Sequence, residues 1–544
     1  MTWGTRIVTF VLKRATTTQE NWRAASPTRD TDMRSVLGML AQVATFAIDG
    51  VDPRPVWVEV DIRSGLPTFT IVGLGDTAVR ESRERVRAAV QNSGFKFPPS
   101  RVTANLAPAF LRKVGPGFDA ALALAVLAAS GQVPVEALAR YAVYGELSLG
   151  GELRDSPGAL AVAEGARRAG LERLIVPRGR AREAALVEGI GIVAVASLRE
   201  AAEVLSGREP PRFPALPAPA ARTGVEPDLS DVRGHELPLL ALQIAAAGGH
   251  NLLLEGAPGT GKTMLARRLP SILPQLTRAQ AIEVTRIHSV AGVHAGGLMT
   301  ARPFRAPHHT VSAAGLVGGG TPPRPGEATL SHNGVLFLDE FSEFRRTSLD
   351  ALRQPLEDGH VTIVRGQRVL ELPTRFMLVA ASNPCPCGFA GVGDRCSCGE
   401  VDLRRHRRRL SGPLLDRMDL IVSVERPGER ELRGPPLTSS ARARERVLAA
   451  RERQEIRLEG TGAACNGEMD SRLVRRHVRL DGEAELALGA AYERGALSAR
   501  GRHRVIRVAR TIADLEGHDR VRVADVLMAV SLRQRDRAEG ALAA

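Results

Sequence analysis

Residues 251–269 read NLLLEGAPGTGKTMLARRL, and this stretch decides the fold of the central part of the chain. Its three leucines predict a short buried strand, and residues 264–269, MLARRL, predict a helix. The loop between them fits the pattern GxxxxGK[ST], in the strand–loop–helix order that a phosphate-binding P-loop requires. A chance match in a glycine-rich chain is the alternative, and the flanking strand and helix argue against it.

The predicted P-loop consists of eight residues: Gly256, Ala257, Pro258, Gly259, Thr260, Gly261, Lys262 and Thr263. Its glycines allow backbone N–H groups to turn inward around phosphate oxygens, beside the positive end of a helix dipole. We expect Lys262 to neutralise the β and γ phosphates of ATP and Thr263 to ligate Mg²⁺. Only four of the 74 lysines and arginines are lysines. A lysine in such a chain indicates chemistry that arginine cannot supply.

A second strand with an acidic end follows at residues 335–340, which read VLFLDE. Two carboxylates after an apolar strand need a reason, because uncompensated buried charge is costly. We expect Asp339 to hold Mg²⁺ and Glu340 to polarise the attacking water. An ordinary strand followed by an acidic turn is the alternative, and the P-loop upstream argues against it.

Two further residues suit ATP hydrolysis. A third predicted strand, over residues 376–382, ends at Asn383, whose amide can orient the water near the γ-phosphate. Arg417 stands just before the last predicted strand, and an arginine from a neighbouring subunit can stabilise the charge that develops on the γ-phosphate. From spacing alone, the alternative interpretation of Arg417 is a partner in an ordinary surface salt bridge.

Strands and helices alternate between residues 228 and 425, which predicts a parallel, doubly wound α/β sheet. The predicted segments are 1–38, a disordered extension or a mis-called start with Met33 or Met39 as the alternative start; 39–205, a mixed α and β domain; 206–227, a Pro- and Ala-rich linker; 228–425, the P-loop core; 436–535, an all-helical region; and 536–544, a tail. The linker has no hydrophobic period and is rich in proline.

A hairpin is predicted over residues 361–372, which read VTIVRGQRVLEL, because two β-rich arms surround a glycine-containing turn. It lies between a predicted helix over residues 348–358 and the predicted strand that leads to Asn383. Arg365 and Arg368 flank the turn and suit contacts with DNA phosphates that read no base sequence. The alternative is a surface hairpin with a solvated tip. The arginine-rich run 404–409 is a second candidate for phosphate contacts. A solvated helix face and a contact with the nucleotide of a neighbouring subunit are the alternatives.

Four cysteines, Cys385, Cys387, Cys396 and Cys398, form the pattern CxC–x8–CxC. Four thiolates suit tetrahedral Zn²⁺, although this spacing is tighter than the usual Cx2–4C. A reduced surface loop and an oxidisable pair are the alternatives. Cys465 stands apart and is expected to be inert. The neighbours His308 and His309 favour a structural or interface role over a metal site.

Composition limits the class of protein. The net charge of +14 favours polyanions, but only as a weak bias, and an arginine-rich genome composition would produce the same value. No apolar stretch approaches the roughly 18 residues that span a membrane. Five cysteines in 544 residues are too few for a disulfide scaffold. We therefore expect a cytoplasmic protein that contacts no membrane.

The sequence resembles the YifB/ComM family of magnesium-chelatase-like AAA+ ATPases over residues 39–535. The motifs that carry the resemblance are GLGDTAVRESRERVRAA (73–89), GGHNLLLEGAPGTGKTMLARRLP (248–270), FRAPHHTVS (304–312), NGVLFLDEF (333–341), ASNPCPCG (381–388), LSGPLLDRMDL (410–420) and VARTIADLEG (508–517). The resemblance implies these roles: Walker A for Lys262 and Thr263, Walker B for Asp339 and Glu340, sensor 1 for Asn383, arginine finger for Arg417, and sensor 2 of a helical lid for Arg500.

The resemblance also implies a fold and a function. It implies an AAA+ core with a helical lid, in a homo-oligomeric ring, a hexamer, whose hairpin before sensor 1 points into the pore. Such proteins resemble ATP- and Mg²⁺-dependent DNA motors that act in recombination and natural transformation, with recombination proteins as possible partners. A magnesium-chelatase-type motor and a protein-remodelling ATPase are the alternatives; the fused N-terminal domain argues against the former.

The N-terminal segment resembles a Lon-protease-like α+β domain of the ribosomal S5 domain 2 type. The turn that would carry the nucleophilic serine reads KVGPGFD over residues 113–119. Gly117 takes the place of that serine and has no oxygen to attack with. We therefore expect a non-proteolytic domain that supports assembly or binding.

Overall fold

A computed structural model describes residues 39–214, 227–294, 296–320, 323–365, 368–409, 412–495 and 497–533. The predicted N-terminal extension, residues 215–226 of the predicted linker and the predicted tail lie outside these ranges. Among the helices so described, none is long and apolar enough to cross a membrane.

The N-terminal domain is built on a mixed sheet. Its strands are Met39–Asp49 (β1), Asp52–Arg63 (β2), Thr68–Val72 (β3), Arg101–Ala107 (β4), Tyr141–Val143 (β5), Glu146–Leu147 (β6), Leu153–Arg154 (β7), Arg173–Pro177 (β8) and Gly191–Val195 (β9). Its helices are Thr77–Asn92 (α1), Asp119–Ala129 (α2), Val135–Leu138 (α3), Ala159–Arg168 (α4), Arg178–Ala184 (α5) and Leu198–Leu205 (α6). Within the described residues, seven strands form one sheet in the order β3-β4-β2-β1-β5-β8-β9.

Hydrophobic patterning explains this domain. Val56, Val58 and Val60 on β2 are fully buried, and the residues that alternate with them reach the other face, as period-2 patterning predicts. Helix α2 is buried along its whole length, from Asp119 to Ala129. The buried Asp119 carboxylate accepts hydrogen bonds from Arg85 Nε at 2.7 Å and from Ser82 Oγ, so its charge is compensated.

The core follows as a parallel sheet. Its strands are Leu252–Glu255 (β10), Phe304–Arg305 (β11), Val335–Leu338 (β12), Met377–Ser382 (β15) and Leu420–Ser423 (β16), with the hairpin strands His360–Arg365 (β13) and Arg368–Pro373 (β14) inserted between β12 and β15. Where the core is described, the sheet order is β11-β12-β15-β10-β16, and every pairing is parallel. The predicted doubly wound sheet is confirmed. Strand β11 was not predicted because two residues show no periodicity.

Helices flank the sheet on both sides. They are Glu236–Gly248 (α7), Lys262–Arg268 (α8), Arg278–Val290 (α9), Ala313–Val317 (α10), Glu327–Leu330 (α11), Arg346–Ala351 (α12), Arg353–Asp358 (α13), Glu400–Arg409 (α14), Gly412–Leu415 (α15) and Glu429–Arg433 (α16). The prediction of one helix over 348–358 is wrong, because α12 and α13 meet at Leu352. Pro355 has no N–H to donate to Ala351, and its ring crowds that carbonyl, so the helix breaks there.

The C-terminal region is helical, as predicted. Its helices are Ser440–Leu458 (α17), Ser471–His477 (α18), Gly482–Glu493 (α19), Ala499–Glu516 (α20) and Val523–Ser531 (α21). Its core is continuous with that of the sheet, because Val505 and Ala509 on α20 are buried in the same cluster as Leu252 and Val422. The lid is therefore packed against the sheet that carries the P-loop.

The N-terminal domain packs on the core through a small buried cluster. Val51, from the turn between β1 and β2, joins Ile287 on α9 and Leu330 on α11. Val361 and Leu372, one from each hairpin strand, complete the cluster. The base of the hairpin is thus buried between the N-terminal domain and the core.

Candidate nucleotide-binding site

The P-loop begins where β10 ends at the carboxyl edge of the sheet. The Gly256 N–H donates to the Ser382 carbonyl at 3.2 Å, and a Cβ on Gly256 would lie 2.3 Å from the Val424 carbonyl oxygen. Only glycine therefore fits between these neighbouring strands. Gly261 has a φ of 91°, in the left-handed region that glycine adopts without strain, and it starts helix α8.

Lys262 is held over the loop by three acceptors. Its Nζ donates to the carbonyls of Gly256 at 2.6 Å and Ala257 at 2.9 Å, and to Asn383 Oδ1 at 3.1 Å. Burial lowers the pKa of Lys262, and the negative charge of Asp339 opposes that shift. Walker A and the predicted sensor 1 amide are therefore in direct contact at the carboxyl edge of the sheet.

Thr263 and Asp339 are also brought together. The Thr263 hydroxyl donates to Asp339 Oδ2 at 2.8 Å, although the two residues follow different strands. One hydroxyl and one carboxylate, completed by phosphate oxygens and water, suit the octahedral coordination of Mg²⁺. This pair could therefore hold the Mg²⁺ of an ATP complex, whose charge would offset negative charge on the phosphates.

Glu340 has a constrained backbone and an unforeseen partner. Its φ is 51°, in the left-handed region that few non-glycine residues adopt, and its N–H donates to Asp339 Oδ1 at 3.0 Å. One of its carboxylate oxygens lies 3.1 Å from His309 Nδ1. Sequence reasoning gave His309 a general structural role, because nothing local shows that the ends of β11 and β12 meet.

The cysteine segment lies against the P-loop and the sensor strand. A Cβ on Gly388 would lie 2.6 Å from Pro258 Cδ, so the segment touches the loop directly. His406, buried on helix α14, is within hydrogen-bond distance of the Asn383 carbonyl at 2.9 Å. Asn383 is thus supported from the arginine-rich helix, a role that the sequence did not predict.

The four cysteine sulfurs converge. The Sγ atoms of Cys385, Cys387, Cys396 and Cys398 all lie within 4.8 Å of one another, with Cys385 and Cys387 3.3 Å apart. The Ala390 N–H donates to Cys385 Sγ at 3.2 Å. Hydrogen bonds to the Cys387 sulfur, chiefly from the backbone N–H of Phe389 and next from the Cys385 side chain, lower the pKa of Cys387 to about 6. The set has the donors and the closeness that a tetrathiolate metal site needs.

Arg417 lies at the opposite edge of the sheet from the P-loop. The Asn251 side chain, just before β10, donates to the Arg417 carbonyl at 3.1 Å. The guanidinium is buried and donates to a Glu357 carboxylate oxygen on helix α13. Burial, then the charges of Arg353, Arg504 and Arg500, lower the pKa of Arg417. The structure therefore does not bring Arg417 to the P-loop of its own chain.

The predicted sensor 2 residue, Arg500, is exposed at the start of α20, on the same side as Arg417. Its neighbour Arg504 instead binds the buried Asp419 through a 2.6 Å contact, and Arg507 binds the same carboxylate at 3.3 Å. Burial raises the pKa of Asp419, but His250, whose Nδ1 is 3.8 Å from Oδ2, and the charges of Arg507 and Arg504 hold that pKa far below its usual range. The Arg504 side chain thus holds the lid on the sheet through this ion pair.

The predicted hairpin is present, with Arg365 opposite Arg368 as the last ladder pair. Residues 366 and 367 of its turn lie outside the described residues. The preceding pair, Val364 and Val369, has side chains that are 62% and 63% exposed. Two exposed valines, one on each strand, therefore lie next to the arginine pair.

The N-terminal domain lacks room for a nucleophile at the expected turn. A Cβ on Gly117 would lie 2.6 Å from Cε2 of Tyr144. Tyr144 is fixed there by a hydrogen bond from its hydroxyl to the Pro157 carbonyl at 2.8 Å. A serine could not enter this position without displacing a buried ring.

Three family models match the chain in succession. The model described as "Subunit ChlI of Mg-chelatase" matches residues 58–180. "Magnesium chelatase, subunit ChlI" matches residues 228–432, which contain the P-loop, Asp339 and Glu340. "Magnesium chelatase, subunit ChlI C-terminal" matches residues 437–533, the helical lid.

Several proteins are similar over nearly their whole length. The protein YifB of Escherichia coli, described as uncharacterized, is 42% identical over 502 residues, covering 92% of this chain and 98% of YifB. An uncharacterized protein of Mycobacterium tuberculosis is 43% identical over 502 residues, covering 91% and 99% of the two chains. The competence protein ComM of Haemophilus influenzae is 41% identical over 492 residues, covering 89% and 95%.

These matches span the N-terminal domain, the P-loop core and the lid in one order. The P-loop, the acidic strand end and the parallel sheet of the core are the parts that an AAA+ ATPase requires. The chain therefore belongs to the YifB/ComM family of magnesium-chelatase-like AAA+ ATPases.

Proposed function

We propose that the chain is a cytoplasmic, ATP-driven motor that assembles into a hexameric ring and moves on DNA. Its task would be helicase action or branch migration in recombination or natural transformation, together with recombination proteins. The observation that carries this proposal is the hairpin β13–β14, inserted between the Walker B strand and the strand of Asn383. In support, ComM is named a competence protein, and competence is the uptake of DNA by a cell.

The hairpin offers the chemistry of a DNA contact. Arg365 and Arg368 at its end suit phosphates, which carry no base information. The exposed pair Val364 and Val369 beside them suits contact with sugars or base faces. Its base is buried between the N-terminal domain and the core. A force that DNA exerts on the end of the hairpin would therefore be transmitted to the ATPase core.

Ring assembly is supported by the separation of the catalytic groups. The P-loop and Arg417 lie at opposite ends of the four-residue strand β10. At about 3.3 Å per residue, the three steps from one end of the strand to the other cover roughly 10 Å. Arg417, with the exposed Arg500 on the same side, would therefore meet the nucleotide of a neighbouring subunit, and Asn383, Asp339 and Glu340 would serve the nucleotide of their own.

Two other functions remain to be tested against this one. The family models are named for magnesium chelatase, which supports a chelatase-type motor as the second candidate. A third is an ATPase that remodels only proteins. Neither requires a hairpin with an arginine at the inner end of each strand.

The deciding experiment measures ATP hydrolysis by the full-length protein with single-stranded, duplex and branched DNA. We expect at least one DNA to raise the rate, and the assembled species to have the mass of six chains. An ATPase rate that no DNA changes, together with no DNA binding at low salt, would reject the DNA motor.

The cysteine cluster is proposed to hold a structural Zn²⁺. Four converging thiolates are a closed tetrahedral set with no position left for a substrate. Bound metal would fix the segment that touches Pro258 and precedes the helix supporting Asn383. The metal would then stabilise the ATP site without taking part in hydrolysis.

The N-terminal domain is proposed to be a non-proteolytic, Lon-like domain that supports assembly or binding. The closed space at Gly117 supports this, because a side chain there would collide with Tyr144. A protease assay on casein with ATP and DNA tests it, and cleavage lost on removal of this domain would overturn it.

A further inference from the structure

Helix α13 connects the hairpin directly to Arg417. The helix ends at Asp358, one glycine before β13 begins, and Gly359 closes it with a φ of 68°. The Gly359 carbonyl accepts a 2.8 Å hydrogen bond from the N–H of Thr374, the residue that follows β14. Both strands of the hairpin are therefore tied to the end of this one helix, so helix and hairpin should move as one body.

Glu357, in the last turn of α13, accepts a hydrogen bond from the Arg417 guanidinium. The Arg417 side chain is only 7% exposed, whereas the Glu357 side chain is 53% exposed. The positive charges of Arg353, Arg504 and Arg500 repel the Arg417 guanidinium. Glu357 thus provides negative charge at a site crowded with arginines.

We propose that Glu357 is a positioning residue that couples the hairpin to the arginine finger, an inference that rests on the proposed DNA motor. With the hairpin unloaded, Glu357 holds Arg417 against its own subunit. When DNA shifts the hairpin, α13 moves with it and the carboxylate withdraws from the guanidinium. The γ-phosphate of the neighbouring subunit then replaces Glu357 as the anionic partner, since phosphate and carboxylate accept the same paired N–H groups.

This arrangement makes Glu357 an inhibitor of hydrolysis in the absence of DNA. The ligand, DNA, acts only by favouring the state in which the contact is broken. Removing the carboxylate should therefore raise the basal rate and leave the DNA-stimulated rate nearly unchanged. A salt bridge that served only stability would change both rates together.

The test compares ATP hydrolysis by full-length Glu357→Gln and the wild type, each with and without duplex DNA. We expect the basal rate of the variant to rise at least about fivefold, the lower range for coupled sites. The stimulation factor should fall by the same ratio. Glu357→Asp, which keeps a shorter carboxylate, should lie between the two. Asp358→Asn, which removes the adjacent exposed carboxylate, is the matched control and should behave as the wild type.

A mixing experiment tests the action between subunits. The double variant Lys262→Ala/Glu357→Gln cannot turn over ATP itself, but it offers a released Arg417 to a neighbour. Mixed with wild-type chains, it should raise their basal rate above that in mixtures with Lys262→Ala alone. Equal rates in the two mixtures would overturn the coupling role.

The outcomes separate this inference from the function on which it rests. If DNA stimulates the wild type and the same factor is found for Glu357→Gln, the coupling role fails and the DNA motor stands. A rise of the basal rate in Asp358→Asn equal to that in Glu357→Gln would also overturn it, as general loosening of α13. If no DNA stimulates the wild type, the motor and the coupling role fail together.

Discussion

The Nδ1 atom of His309 lies 3.1 Å from a carboxylate oxygen of Glu340. His309 follows β11 and Glu340 follows β12, so the contact joins the ends of two paired parallel strands. Because Glu340 also has a left-handed backbone, both its main chain and its side chain are held in place. A carboxylate that must polarise a water needs such a fixed position.

We expect His309→Ala to lower kcat for ATP about tenfold and to change KM little, because a misplaced base costs rate and not binding. His308→Ala is the comparison variant: the Nδ1 atom of His308 lies 3.0 Å from Thr310 Oγ1 and its ring packs on that of His309 with centroids 4.1 Å apart, so this change should lower kcat less than His309→Ala does. Steady-state ATPase kinetics of both variants check this. Equal kcat values for His309→Ala and the wild type would show that the contact does not position Glu340.

Lys262→Ala and Glu340→Gln should separate binding from hydrolysis. Lys262→Ala removes the phosphate-neutralising charge, so binding of a fluorescent ATP analogue should weaken strongly. Glu340→Gln keeps shape but loses the base, so it should bind ATP and hydrolyse it at least about a hundredfold more slowly. If Glu340→Gln turned over ATP at the wild-type rate, the Walker B assignment would be wrong.

If Arg417 acts on the nucleotide of a neighbouring subunit, as we propose, Arg417→Ala should bind ATP normally and fail to hydrolyse it. Mixing Arg417→Ala with Lys262→Ala should restore part of the activity, since some interfaces then pair an intact P-loop with an intact arginine. Full activity of Arg417→Ala alone contradicts the shared site.

The protein should carry about one zinc per chain after exhaustive dialysis, on the tetrathiolate argument. Cys396→Ser/Cys398→Ser should lose the metal and lower Tm, because metal binding is coupled to folding. Cys465→Ser is the control for metal content, since Cys465 is buried far along the chain in the lid. Atomic emission spectrometry measures the zinc content, and thermal unfolding measures Tm. A wild-type protein that contains no metal and has four reactive thiols would exclude the site.

The sequence predicted the features that depend on neighbours along the chain. The P-loop, the acidic end of β12 and the hairpin each have a local pattern, and the structure contains all three. Contacts between distant segments have no such pattern. His309 meets Glu340 because β11, a strand of two residues, pairs with β12. Glu357 meets Arg417 because α13 breaks from α12 at Leu352, and a pattern of apolar residues does not reveal the resulting direction of α13.

The hairpin prediction tests how ATP hydrolysis is coupled to DNA. Arg365→Ala/Arg368→Ala should leave basal ATPase intact, because neither residue belongs to the nucleotide site. DNA binding should weaken at every sequence, since the contacts are to phosphates. Losing two phosphate contacts should make the slope of log K against log salt shallower by about two. Filter binding over a salt series measures that slope.

The comparison variant is Arg404→Ala/Arg405→Ala, which removes two exposed arginines from helix α14 and the same amount of charge. If DNA follows the hairpin, this variant should keep the wild-type salt slope and the wild-type DNA-stimulated rate, and the hairpin variant should lose both. The reverse result would put the DNA path on α14. Because net charge changes equally in the two variants, a difference between them reports the position of the contact and not the overall charge of the protein.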